Sequence, residues 1–240
     1  NNYYLDMKTI ELELSVPTTL NDITLGQYQK YLKVLDANKE DADEFITLKT
    51  IEIFCNVSLK EVLSIPAVEA EKVLNIIIKA FEEKPNLIRR FDLLGVDMGF
   101  EPSLETISLG AYIDVEDNIT DWQKMHKAMA ALYRPVNFKQ KDKYTVAPYE
   151  PSDEVAELMK EMPLDVAMSA MVFFYDLGTE LLKAIPTYIQ KNLTEEQTYQ
   201  LKQILALNGV GINQYTHSLE EMFSSLTKLQ NFRYSNASTS

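Results

Sequence analysis

Residues 99–149 read GFEPSLETISLGAYIDVEDNITDWQKMHKAMAALYRPVNFKQKDKYTVAPY, and signals for turn, helix and strand follow one another closely in them. Gly99-Phe100-Glu101-Pro102 predicts a turn. Ser108, Gly110 and Tyr112 lead into an acidic patch at Asp114, Glu116 and Asp117. Thr120 and Gln123 have capping-box spacing, in which a hydroxyl and an amide three residues apart satisfy free backbone N–H groups at a helix start. Trp122, Met125, Met129 and Leu132 then recur every three or four residues and share one helical face. Pro135 ends that helix, because the residue before a proline is disfavoured in the helical region. Val136 and Phe138 on one arm, Tyr144 and Val146 on the other, flank a charged tip and predict a β-hairpin.

Upstream, Ile10, Leu12, Leu14 and Val16 alternate with polar residues, predicting a half-buried strand over residues 9–16. Thr24 with Gln27 and Ser58 with Glu61 repeat the capping-box spacing, the first starting a helix through about Leu35. Phe45, Leu48, Ile51, Phe54 and Cys55 mark the buried face of the next helix. Pro66 suits the first turn of a longer one that carries Val73, Leu74, Ile77, Ile78 and Phe81 and stops by Pro85. Residues 86–99 fit strand or helix equally, and Gly95 and Gly99 mark a change of direction that suggests a boundary between Pro85 and Pro102.

Downstream the pattern is helical. Ser152 caps a segment to about Met162, and Pro163 opens an apolar helix with Val166, Met168, Met171, Phe173, Phe174 and Leu177. Pro186 breaks its continuation, and further helices are predicted over residues 195–207 and 218–229 before a polar tail. The pattern L-x-x-I-[ST]-L-G-x-Y occurs at residues 20–28 and 104–112, which chance and duplication explain equally well. If the repeat is real, both Gly26 and Gly110 lie in the first turn of a helix behind a hydroxyl cap. The expected fold is mainly α with a minor β component (α+β). It comprises helical bundle-like units with a short N-terminal strand region and a central β-hairpin, divided as 1–85, 86–150 and 151–234 with a flexible tail at 235–240.

A chain of 240 residues, 46% hydrophobic, can bury a large core. Its net charge of -13 argues against nucleic acid as a partner, since that affinity begins with lysines and arginines displacing counterions. Lys139, Lys141 and Lys143, interrupted by Asp142, read as a solvated turn. A single cysteine, Cys55, excludes an intrachain disulfide and reads as a buried small hydrophobe in a reducing compartment. The first residues lack the basic region and apolar run of a signal peptide, and no apolar stretch approaches the roughly 20 residues that span a bilayer.

Two histidines, His126 and His217, with no Cys-x-x-Cys or His-x-x-x-His spacing, argue against zinc. Gly209-Val210-Gly211 lacks the third glycine of a dinucleotide fingerprint, and the phosphate-loop and G-x-S-x-G motifs are absent. Asp114, Glu116, Asp117 and Asp121 lack the spacing of a calcium loop and read as a solvated acidic loop. His126, beside Trp122, is expected to be partly exposed and to have no catalytic partner. No catalytic residue, cofactor or metal is assigned. The suggestive set is Tyr112, Tyr133, Tyr144 and Tyr149 with Trp122 and Arg134, because aromatics and arginine are enriched at interface hot spots, and Tyr112, Trp122, Tyr133 and Arg134 are the expected partner contacts. The same residues also fit the edge of a core with hydroxyls reaching water.

The alternating residues 9–16, the L-x-x-I-T-L-G-x-Y stretch at 20–28 and the segment CNVSLKEVLSIP at 55–66 together resemble the layout of bacteriophage tail assembly chaperones. GFEP at 99–102 and MAALYRP at 129–135 are similar to segments of virion-associated proteins of tailed phages, including those infecting gut Bacteroidetes. The resemblance implies a non-enzymatic morphogenesis or virion protein that contacts other phage tail or virion proteins in the host cytoplasm during assembly, or in the virion. A minor structural component of the particle is the alternative, and a hydrolase using dispersed carboxylates is the alternative of another class.

Overall fold

Thr24 sits in extended backbone and its hydroxyl accepts the N–H of Gln27 at 3.1 Å, while the Gln27 side chain accepts the N–H of Thr24 at 2.9 Å. This box opens α1 (Leu25–Ala37) in the computed structural model, which describes residues 14–38, 43–104, 107–141, 143–174 and 176. The expected strand over 9–16 falls mainly outside those residues, and its last three, 14–16, lie in no strand. The helices expected beyond residue 176, the tail and Leu177 also lie outside them.

Helix α2 (Asp43–Phe54) buries Ile46, Ile51, Ile53 and Phe54, and Cys55 just beyond it is buried too. Burial alone pushes the Cys55 thiol up to about 11. Ser58 and Glu61 form the second expected box and start the single turn α3 (Leu59–Val62). In α4 (Ala67–Ala80), Val73, Ile77 and Ile78 face the core, and Pro66 is its N-cap. The helix ends five residues before Pro85, with Phe81 as its C-cap folded into the core.

The ambiguous stretch before Gly99 is a hairpin. Strands β1 (Arg90–Leu93) and β2 (Val96–Phe100) pair antiparallel around Leu94-Gly95, both at positive φ (52° and 87°), a handedness that matches the twist of paired strands. Asp92 accepts the Gly95 N–H at 2.8 Å. Gly99 and Phe100 therefore end a strand; the turn expected there is displaced because the pairing continues through them to β3. The predicted hairpin forms as β3 (Tyr133–Gln140) and β4 (Lys143–Val146), with a register shift between Val136 and Phe138. It completes a four-stranded antiparallel sheet in the order β1-β2-β3-β4.

Helix α5 (Leu109–Asn118) starts behind Ser108, whose hydroxyl accepts the Ala111 N–H at 3.3 Å. The acidic patch expected as a loop thus lies on this helix. Gly26 and Gly110 each take the second position of their helix, as the repeated pattern predicts. Helix α6 (Met125–Leu132) does not begin with the Thr120–Gln123 box: its N-cap is Lys124. The Gln123 side chain reaches α1 instead, donating to the Gln29 carbonyl at 3.0 Å, and its own N–H goes to the Asp121 carboxylate at 2.8 Å. Ser152 caps α7 (Asp153–Leu158), a 3-10 turn follows at Met159–Glu161, and α8 occupies residues 164–174. Val166 is fully buried in α8, whereas Phe173 is only partly so, with its ring against Phe100 and Phe174.

One apolar cluster runs through all three expected segments, from Leu20 to Met171. Its helical end is an aromatic knot in which the Tyr28 ring lies 5.0 Å from Trp122 and 5.9 Å from Phe81. At its sheet end Tyr133 stands between Phe91 and Phe100. Two hydrogen bonds join distant corners: the Leu25 N–H donates to the Met162 carbonyl at 2.9 Å and the Leu164 N–H to the Ile23 carbonyl at 2.8 Å. Asn21 and Asp165 extend the joint with a side-chain bond of 3.1 Å.

Candidate functional site

Three of the four residues expected at a contact surface are interior. Trp122 is 8% exposed, Tyr133 0% and Arg134 8%, while Tyr112 is 50% exposed. Trp122 presents its ring to Tyr28, and its carbonyl accepts from Gln29 at 2.7 Å. Tyr133 donates its hydroxyl to the Ile88 carbonyl at 2.8 Å, and burial raises its phenol above the ordinary range. Arg134 forms a buried ion pair with Glu101, whose N–H in turn bonds the Leu132 carbonyl at 2.7 Å. Trp122 is packed against α1, while Tyr133 and Arg134 tie the sheet to the segments beside it, so the structure does not gather the expected four into one exposed surface. Aromatic and arginine content alone does not separate a hot spot from a core, because the same planar groups with polar ends serve both.

Tyr112 instead has companions of another kind. In α5, Ala111 and Val115 face the core, while Leu109 (75% exposed), Tyr112 and Ile113 (45%) lie at i, i+3 and i+4 on the opposite side. The signal was present in the spacing, masked by the acidic residues between. Glu116 continues the outward face, and among the described residues neither it nor Asp117 forms a hydrogen bond or an ion pair. Both stand in the C-terminal half of a helix with no basic residue in its last turn, where the helix dipole disfavours negative charge. Asp114 differs, because the Tyr149 hydroxyl donates to it. Burial first, then that carboxylate, raises the Tyr149 phenol.

An open groove of about 720 Å³ separates the C-terminal half of α5 from the start of α7. Asp114, Asp117, Lys124, Lys127, Tyr149 and Asp153 line it, so its wall carries both carboxylates and ammonium groups. Lys127 lies 3.4 Å from Asp153 and Lys124 lies 3.7 Å from Asp121. The Ser152 hydroxyl is occupied in capping α7, accepting the Val155 N–H at 3.2 Å. Among the described residues no group of three or more His, Cys, Asp or Glu side chains is placed to hold a metal ion, and no helix is long and apolar enough to cross a membrane.

His126, expected to be partly exposed, is buried at 5% exposure in the first turn of α6. The reason is a polar contact on each side. Its Nδ1 is 3.1 Å from Nε2 of Gln29 on α1, and its Nε2 is 3.4 Å from a Glu157 oxygen on α7. Burial, reinforced by the Lys160 ammonium, holds the imidazole pKa below its ordinary value, while Glu157 acts in the opposite sense.

No family model matches the chain, and no curated protein or solved structure is significantly similar to it.

Proposed function

We propose that the chain is a non-enzymatic bacteriophage morphogenesis or virion protein that works through protein–protein contacts, in the manner of a tail assembly chaperone. The reading rests on the resemblance carried by residues 9–28, 55–66, 99–102 and 129–135. The observation that supports a contact role is the outward face of α5, where Leu109, Tyr112 and Ile113 form an apolar stripe on a helix already apolar toward the core. Exposed apolar residues set together on a helix favour an interface, and the exposed Glu116 and Asp117 beside them favour a partner with a basic rim. A minor structural subunit of the particle would use the same stripe.

The test is association with the tail and virion proteins encoded beside it, measured with purified components. The triple variant Leu109→Ser, Tyr112→Ala, Ile113→Ser changes only outward residues, so its circular dichroism should match that of the parent. Its affinity should fall about tenfold or more, the loss expected when a small hot spot is removed. Unchanged affinity would refute the stripe as the contact. Mass spectrometry of purified particles then separates the roles: a chaperone is absent from them and a structural subunit is present.

A further inference from the structure

The buried polar contacts around His126 fix where its proton sits. The Gln29 side-chain nitrogen carries two hydrogens and has two neighbours, the Trp122 carbonyl at 2.7 Å and His126 Nδ1 at 3.1 Å. The carbonyl only accepts, so one hydrogen goes there and the other goes to Nδ1, which must present a lone pair. The ring proton is therefore on Nε2, directed at Glu157. His126 is thus a two-sided link between α1 and α7, and one of its sides exists only while the ring is neutral.

We propose that His126 is a proton-operated joint that, on taking a proton from solvent, loosens the 121–126 segment on α1 and binds it more firmly to α7. A proton on Nδ1 would set N–H against N–H. If the Gln29 amide turned over to accept it, the amide oxygen would face the Trp122 carbonyl instead, acceptor against acceptor. In both cases one of the two Gln29 links is lost, while the contact with Glu157 becomes an ion pair. The charged groups facing the ring are Glu157 from α7, Lys160 from the 3-10 turn and Lys127 from its own helix; α1 contributes the uncharged Gln29. One carboxylate favours the charged ring and two ammonium groups oppose it. Gln123, bonded to the Gln29 carbonyl at 3.0 Å, remains as a tether, so the segment moves without leaving. This inference is independent of the proposed partner.

The reporter is built in, because Trp122 is the single tryptophan of the chain and lies within the loosened segment against Tyr28. Tryptophan fluorescence of the full chain should change in one step below pH about 6.5, the ordinary imidazole value, together with the His126 ring signal in NMR. Glu157→Gln should move the midpoint to lower pH and Lys160→Met to higher pH; both are partly exposed positions whose replacement leaves the core intact. His126→Gln should abolish the step, which also separates it from His217 and the carboxylates. A flat fluorescence curve overturns the proposal whether or not the ring titrates. So does a step that survives in His126→Gln, or a shift of the midpoint in the same direction by both surface variants.

Discussion

At position 99 the Tyr144 ring occupies the space where a side chain would stand. A Cβ on Gly99 would come within 2.7 Å of Tyr144 Cε2 and 2.9 Å of Val136 Cγ2. Tyr144 crosses from β4 to reach the Phe100 carbonyl at 2.7 Å, so its ring edge is held against the glycine and cannot retreat without losing that bond. Gly99→Ala should destabilise by about 1–3 kcal/mol, the usual cost of an extra methyl in a filled site. Denaturant unfolding checks it, and the penalty should shrink when Tyr144→Ala is also present, since residues in contact do not add independently. The sequence marks Gly99 as a turn residue, but its partner is 45 positions away and no local pattern reports it. For the same reason Trp122, Tyr133 and Arg134 were legible as special and illegible as buried: Tyr28, Ile88 and Glu101, the groups that bury or bond them, are all distant in the chain. Cys55 was readable as buried because its neighbours in sequence, Ile53 and Phe54, are also its neighbours in the core.

The elements divide by how locally they are specified. The starts of α1, α3, α5 and α7 were readable from Thr24, Ser58, Ser108 and Ser152, because each cap is closed by a backbone N–H three residues on. The start of α6 was not, because a long-range partner on α1 captures Gln123 before it can close a box. The two similar corners then differ in what presses on them. A Cβ on Gly26 would meet the Lys160 carbonyl at 3.1 Å, tight against backbone, whereas one on Gly110 would meet only the Tyr149 ring at 3.6 Å, an ordinary contact. Replacing a helical glycine with alanine is worth up to about 1 kcal/mol where space allows. Gly110→Ala should therefore raise the melting temperature, and Gly26→Ala should leave it unchanged or lower it. Equal gains at both sites would mean that the Lys160 backbone yields freely.

For the molecule as a whole, the division expected from the sequence after Pro85 meets a core that does not stop there. Tyr28 packs on Trp122, and the start of α1 pairs with residues 162–164. A fragment of residues 1–85 should consequently show no cooperative thermal transition, because its aromatic knot lacks one wall and its first helix lacks its corner. A sharp transition in that fragment, followed by circular dichroism, would establish it as an autonomous domain. The mainly helical class and the presence of a minor β part were legible because they sum over many local signals. The joining of the segments was not, since it depends on contacts more than 90 residues apart.

The bond between Asn21 and Asp165, 144 residues apart, also sets a clock on synthesis. A ribosome adding about 5–20 residues per second needs on the order of 7–30 s to make the second corner after the first. During most of that interval the nascent chain carries Tyr28 without Trp122, the ring that later closes over it, a window in which premature association competes with completion.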